Sequence, residues 1–60
     1  MFVKVKTTGE SFVNAWVFTA NITSIYEENG GVFRICFVSG KYVRVKELPS
    51  ELKLAMGLNQ

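Results

Sequence analysis

Residues 22–46 have the sequence ITSIYEENGGVFRICFVSGKYVRVK, in which two glycine-containing turns separate three apolar runs. The first turn contains Asn29-Gly30, which is typical of β-hairpins because type I′ turns require a positive φ at both central residues. Ser39-Gly40 is predicted to form a second, similarly tight turn. The sequence therefore indicates three short antiparallel strands joined by two hairpins. The predicted strands cover residues 22–27, 32–38 and 41–46, although Ile22 and Ile25 are also spaced as in a helical turn, which is the alternative for the first of these segments.

Two further strands are predicted before this segment. Valine, isoleucine, threonine and aromatic residues, which favour strands, are frequent throughout the chain. Thr8-Gly9 separates an apolar run at 2–7 from another at 11–19. The predicted fold is therefore mainly β: a small antiparallel β-meander or SH3-like, partly open barrel of four or five strands. We expect a single domain over residues 1–60.

A short helix is predicted at the C-terminal end of the chain, over about residues 50–56. Pro49 ends the strands, Ser50 is a candidate N-cap, and Gly57 is a typical helix stop. Leu52 and Leu54 are expected on opposite sides of this helix. A short helix that is apolar on two sides favours contact with both its own sheet and a partner.

The size of the chain limits how it can be stabilised. It has 60 residues, of which 48% are hydrophobic, and a net charge of +2. A domain of this length buries only about 60% of the surface that its unfolded chain exposes, and usually needs a disulfide, a metal or an oligomer interface. One cysteine and no histidine exclude an internal disulfide and a structural zinc site. We therefore predict a homo-oligomer without a bound metal or cofactor.

The alternation of side chains along the predicted strands separates a core face from a cationic face. Val3, Ile35 and Val43 represent the core face, whereas five of the seven cations lie on the other. All five glutamates are expected at turns, at strand ends or in the helix, so this face is predicted to lack acidic residues. It is a candidate binding face for nucleic acid or nucleotides, although strand lysines also serve to prevent aggregation. The candidate anion-binding residues are Lys4, Lys6, Arg34, Tyr42, Arg44 and Lys46.

The second predicted strand is apolar on both faces. Trp16 and Phe18 share one face, and Ala15 and Val17 share the other. Because a strand that is apolar on both sides is normally buried on both sides, one face is predicted to meet another protomer or a protein partner. Two alternatives are that the C-terminal helix covers this face and that Trp16 is a core residue. The candidate interface residues are Trp16, Phe18, Leu54 and Leu58.

These two surfaces lead to two functional hypotheses. The first is a regulatory module that oligomerises and binds an anionic partner on the cationic face. The second is a protein-interaction module, such as an adaptor or a phage-encoded inhibitor, that uses the apolar strand and the helix. An enzyme is not expected and no catalytic residue is assigned, because serine and cysteine nucleophiles lack a histidine base. Cys36 is predicted to be a buried inert thiol, and Glu27 and Glu28 to be solvated turn residues.

The sequence favours a cytoplasmic protein without a membrane segment. The longest uncharged stretch, residues 11–26, is too short and too polar for a membrane helix. Lys4 and Lys6 interrupt the first apolar run, so a signal peptide is not expected. A lone cysteine also fits a reducing compartment.

Several short motifs occur at defined spacings over residues 2–52: Gly9-Glu10, Ile22-x-x-Ile25-x-Glu27 and Gly40-Lys41-x-Val43-x-Val45-Lys46-Glu47. This pattern resembles that of the FlbD-like small flagellar-operon protein family. The hairpins also resemble the opening strands of LytTR-type DNA-binding domains, and the layout is similar to the carbon storage regulator family, an RNA-binding β-dimer. The chain differs from the first family by extra residues around 15–18 and by an acidic turn without Pro-Asp. The resemblance implies a small, oligomeric β-rich regulatory module.

Overall fold

The computed structural model describes residues 1–57, which form five strands and one short helix. The mainly β fold predicted from the sequence is confirmed. Within residues 1–57, no helix has the length and apolar character needed to cross a membrane. The elements in chain order are β1 (Phe2–Lys6), β2 (Asn14–Phe18), a 3₁₀ turn (Thr19–Asn21), β3 (Ile22–Glu28), β4 (Val32–Phe37), β5 (Tyr42–Val45) and α1 (Ser50–Ala55).

The strands form two antiparallel sheets that meet at one corner. The β1–β2 pair is one sheet, and β3, β4 and β5 form the other in that order. A single bridge between Thr7 and Val45 joins β1 to β5, and the Thr8 N–H donates to the Arg44 carbonyl at 2.9 Å. The two sheets bend around a shared core and do not close into a barrel.

The core consists of aliphatic side chains from alternate strand positions, with one leucine from the helix. β1, β4 and β5 point their predicted core faces inward, as alternation requires. The buried core residues are Val3, Val5, Val17, Ile22, Ile35, Val43, Val45 and Leu52.

The hairpin between β3 and β4 has a different turn from the one predicted. Glu28 pairs with Val32, which leaves three residues in the connection. The positive φ values fall at Gly30 (86°) and Gly31 (74°), and no non-glycine residue of the described chain has a positive φ. The assignment of a left-handed conformation to Asn29 is therefore wrong, because the second glycine adopts it at lower steric cost.

The connection between β1 and β2 is a loop, whereas the apolar pattern predicts a strand from residue 11 onward. The Thr7 N–H donates to the Val13 carbonyl at 2.7 Å, and the Thr7 hydroxyl donates to the Phe12 carbonyl. These bonds close residues 8–13 into a loop, so β2 begins only at Asn14. At its other end β2 stops at Phe18, where the 3₁₀ turn begins.

The helix has the predicted position but not the predicted N-cap. Pro49 occupies the N-cap position in an extended conformation, and no side chain caps the helix. The Lys53 N–H donates to the Pro49 carbonyl at 3.0 Å, so Ser50 is already the first helical residue. Leu52 is fully buried and Leu54 is 73% exposed, which confirms their opposite orientations. Leu58 lies outside the described residues.

The two leucines of α1 provide a matched test of this packing. Leu52→Ala is expected to lower the free energy of unfolding by about 2–5 kcal/mol, because it empties a fully enclosed core position. Leu54→Ala removes the same atoms from an exposed position and is expected to change it by less than about 0.5 kcal/mol. Urea denaturation of both variants measures the difference. Equal losses would contradict the docking of α1 through Leu52.

Candidate nucleic-acid interface

Three of the predicted anion-binding lysines line one groove. Lys4 and Lys6 lie on the outer face of β1, and Lys46 directly follows β5. The bridge between Thr7 and Val45 brings the neighbouring Lys6 and Lys46 to the same corner of the two sheets. The groove has a volume of about 700 Å³, and all three lysines are exposed. Its remaining lining comes from the loop after β1, from Asn14 and from residues 47–50.

Exposed aromatic side chains share the outer face of β1 and β2 with these lysines. The register places Phe2 opposite Phe18, with ring centroids 4.9 Å apart, and Lys4 opposite Trp16. Partners directly opposite each other in an antiparallel pair project from the same face of the sheet. Trp16 is 67% exposed, Phe2 63% and Phe18 37%. The lysine–aromatic face is the surface formed by Phe2, Lys4, Lys6, Trp16, Phe18 and Lys46.

The exposure of Trp16 decides between the alternatives for β2. The inner face of β2 is buried through Val17, whereas the outer face is open. Trp16 is therefore not a core residue. Nor does α1 cover the outer face, because the helix directs Leu52 into the core between the sheets.

The remaining predicted residues, Arg34, Tyr42 and Arg44, form a separate group on the outer face of the three-stranded sheet. Tyr26, Arg34 and Arg44 are paired in one row across β3, β4 and β5. The Arg34 guanidinium carbon lies 5.3 Å from the centre of the Tyr26 ring and 5.4 Å from that of Tyr42. The guanidinium carbon of Arg44 lies 5.1 Å from the Tyr42 ring centre. Both arginines are thus within cation–π distance of aromatic rings.

A glutamate connects the two arginines, contrary to the predicted absence of acidic residues from this face. The Arg44 Nε donates a hydrogen bond to Glu28 Oε1 at 3.0 Å, and Arg34 Nε lies 3.5 Å from Glu28 Oε2. The second contact is an ion pair without hydrogen-bond geometry, so the buried Nε of Arg34 has no hydrogen-bond partner among the described residues. The arginine–tyrosine cluster is the group formed by Tyr26, Glu28, Arg34, Tyr42 and Arg44.

The position of Glu28 follows from the length of β3. The predicted strand ended at residue 27, but β3 continues through Glu28, and alternation puts this carboxylate on the same face as Tyr26. Glu28 raises the pKa of Arg44 above its ordinary value. The larger cause is the hydrogen bond that Glu28 accepts from Arg44, and the second is the negative charge of the carboxylate. The prediction that Glu28 is a solvated turn residue is therefore wrong.

Cys36 also differs from its prediction. It lies on the outer face of β4, paired with Ser24 on one side and Tyr42 on the other. The thiol is free, and the residue is half-buried where full burial was predicted. Within residues 1–57, no three side chains of the metal-ligating types come together.

No protein-family model, curated protein or solved structure matches this chain. The resemblance to the FlbD-like family therefore stays a prediction.

Neighbouring glutamates of β3 test the electrostatic role of Glu28. Glu28→Gln is expected to lower the free energy of unfolding by about 0.5–1 kcal/mol, because it weakens a partly exposed ion pair with two arginines. Glu27→Gln removes the same charge from an exposed residue that has no ion pair within residues 1–57, and should have a smaller effect. Urea denaturation at low salt and at about 1 M salt should show the Glu28 effect fading as the charges are screened. Equal, salt-independent losses in both variants would show that the ion pair contributes nothing.

Proposed function

We propose that this chain binds single-stranded nucleic acid on the lysine–aromatic face. The observation that carries the proposal is the placement of exposed Trp16 directly opposite Lys4. Proteins that bind single strands combine cations that follow the phosphates with aromatic rings on which bases stack. The outer face of β1 and β2 offers both kinds of group within two strands.

The lysines of this face are available for phosphate. Among residues 1–57, the ion pairs join Glu28 to Arg34 and Arg44, and none involves Lys4, Lys6 or Lys46. Glu47 lines the same groove and reduces its positive charge. Three lysines and one glutamate, in a chain with a net charge of +2, favour modest affinity that depends strongly on salt.

A single strand fits the surface better than a duplex. Stacking on Trp16 and Phe2 requires bases whose faces are not covered by neighbours in a double helix. Duplex DNA is commonly recognised by a helix placed in the major groove. The described chain has one helix, α1, which is six residues long and carries Glu51 beside Lys53. It offers neither the length nor the charge for that role.

Two double lysine variants with the same net charge test the proposal. Lys4→Gln with Lys6→Gln removes two charges from the proposed site, whereas Lys41→Gln with Lys53→Gln removes two charges elsewhere. We expect the first double variant to lower the affinity for short DNA and RNA oligonucleotides by about tenfold at low salt, and to reduce the slope of log K against log salt by about 1.4. The double variant of Lys41 and Lys53 should change the affinity and the salt slope much less. Fluorescence anisotropy of labelled oligonucleotides measures both quantities.

Trp16 is the one tryptophan of the sequence, so its own fluorescence reports on stacking. Oligonucleotide binding is expected to quench this emission, and Trp16→Ala to weaken binding by about 5- to 100-fold through the loss of one stacked base. The Leu54→Ala variant is a control for a change at another exposed apolar residue. If neither DNA, RNA nor mononucleotides bind at low salt, the proposal is wrong.

A second candidate function is protein interaction, for which a recess beside Trp16 provides support. The recess, of about 360 Å³, is lined by Trp16, Phe18 and the exposed Val38, among others. Of the predicted interface residues, Trp16 and Phe18 line this recess and Leu54 does not. The partner in this candidate is a second copy of the chain or another protein that an adaptor or inhibitor would engage.

The two candidates predict opposite patterns of salt dependence. An apolar protein contact should tolerate salt, weaken with Trp16→Ala, and be insensitive to the loss of Lys4 and Lys6. Analytical ultracentrifugation of the wild type and of both variants would detect self-association of this kind. A salt-tolerant dimer that loses its stability with Trp16→Ala, in the absence of oligonucleotide binding, would favour the second candidate.

A further inference from the structure

We infer that the bound strand continues past the lysine groove, across β5, and onto the arginine–tyrosine cluster. This inference rests on the proposed nucleic-acid function and assigns a ligand to a group of residues that the lysine groove does not contain. It implies a minimum ligand length, because a strand that occupies both places must be longer than one that fills the groove alone.

The cationic residues are continuous across the corner where the sheets meet. Lys6 and Lys46 flank the bridge between Thr7 and Val45. Arg44 lies on the outer face of β5, and Lys46 directly follows the end of that strand and lines the groove together with Lys6. Arg44 is in turn paired with Arg34 on β4. The order of the cations across the surface is Lys4, Lys6, Lys46, Arg44 and Arg34.

The length of this path fits a short oligonucleotide. With about 3.3 Å per residue along a strand and about 4.8 Å between adjacent strands, the backbone path from Lys4 to Arg34 measures about 23 Å. A ligand of about five nucleotides would span it, which lies within the site sizes of small β-sheet proteins that bind single strands.

The cluster has the chemistry to bind the far end of such a strand. Glu28 contacts the Nε atom of each arginine, and phosphate oxygens accept hydrogen bonds from the terminal nitrogens of a guanidinium group. Tyr26 is 51% exposed and Tyr42 is 43% exposed, so each ring retains surface on which a base can stack. The carboxylate holds the two arginines in place, but its charge opposes an approaching phosphate.

Glu28 therefore has an effect on binding that distinguishes the cluster from the groove. Removing its charge should strengthen the binding of a strand that reaches the cluster and leave a shorter strand unaffected. The amide of Glu28→Gln can still accept a hydrogen bond from Arg44, so the arginine keeps a partner in this variant. Glu27→Gln changes the net charge equally and is the matched control, because Glu27 belongs to the other face of β3.

The experiment compares a trinucleotide with an octanucleotide by anisotropy at low salt. We expect wild-type protein to bind the octanucleotide more tightly, Glu28→Gln to raise that affinity by about three- to tenfold, and Glu27→Gln to raise it by less than twofold. For the trinucleotide, Glu28→Gln should change the affinity no more than the control Glu27→Gln does. Circular dichroism should confirm that each variant is folded.

A second variant tests the same inference in the opposite direction. Arg34→Gln with Arg44→Gln should remove the additional affinity for the octanucleotide and leave the trinucleotide bound as in the wild type. Equal affinity changes in Glu28→Gln and Glu27→Gln for the octanucleotide would overturn the inference. The proposed function would survive that result if the variants of Lys4 and Lys6 still lost binding, and it would fail together with the inference if no oligonucleotide bound.

Discussion

The small size of the core determines which surfaces of the molecule remain exposed. Eight aliphatic side chains form the buried core, of which the five strands supply seven, and in β1 and β5 the two core residues occupy alternate positions. The six-residue helix α1 completes this core with Leu52. Nothing else among residues 1–57 is long enough to form another layer over the outer face of β1 and β2. Phe2 and Trp16 are exposed because α1 packs into the core through Leu52 and does not cover this face.

The register between β1 and β2 places exposed aromatic side chains next to lysines on one surface. Residues 8–13 form a loop that sets Lys4 opposite Trp16 and Phe2 opposite Phe18. A register shift by one residue would exchange the two faces of β2, which would bury Trp16 and expose Val17. The hydrogen bonds from Thr7 to Phe12 and Val13 fix the loop and thereby the combination of lysines with aromatic rings. Local loop geometry thus determines the composition of the candidate site.

Strand alternation predicted the core faces, but the sequence could not supply the pairing that defines the site. The inward positions of Val3, Ile35 and Val43 follow from a period of two, which requires no knowledge of neighbouring strands. The shared face of Lys4 and Trp16 depends on the length of a loop that sequence patterns assigned partly to a strand. Glu28 was misplaced for a related reason, since one additional residue of β3 moves a carboxylate from a turn to the face of a sheet.

The two cationic groups differ in how their charges are held, and this difference matters for binding. The groove lysines have long, mobile side chains without ion pairs within residues 1–57, so they attract phosphate but lose rotamer entropy when they order around it. Arg34 and Arg44 are already positioned by Glu28 and by cation–π contacts with tyrosine rings, which lowers that entropic cost. The same carboxylate that organises them neutralises one of their two charges. The electrostatic attraction of phosphate is therefore strongest at the groove, whereas the orientation of the cationic groups is best fixed at the cluster. A ligand that spans the corner between the sheets would benefit from both.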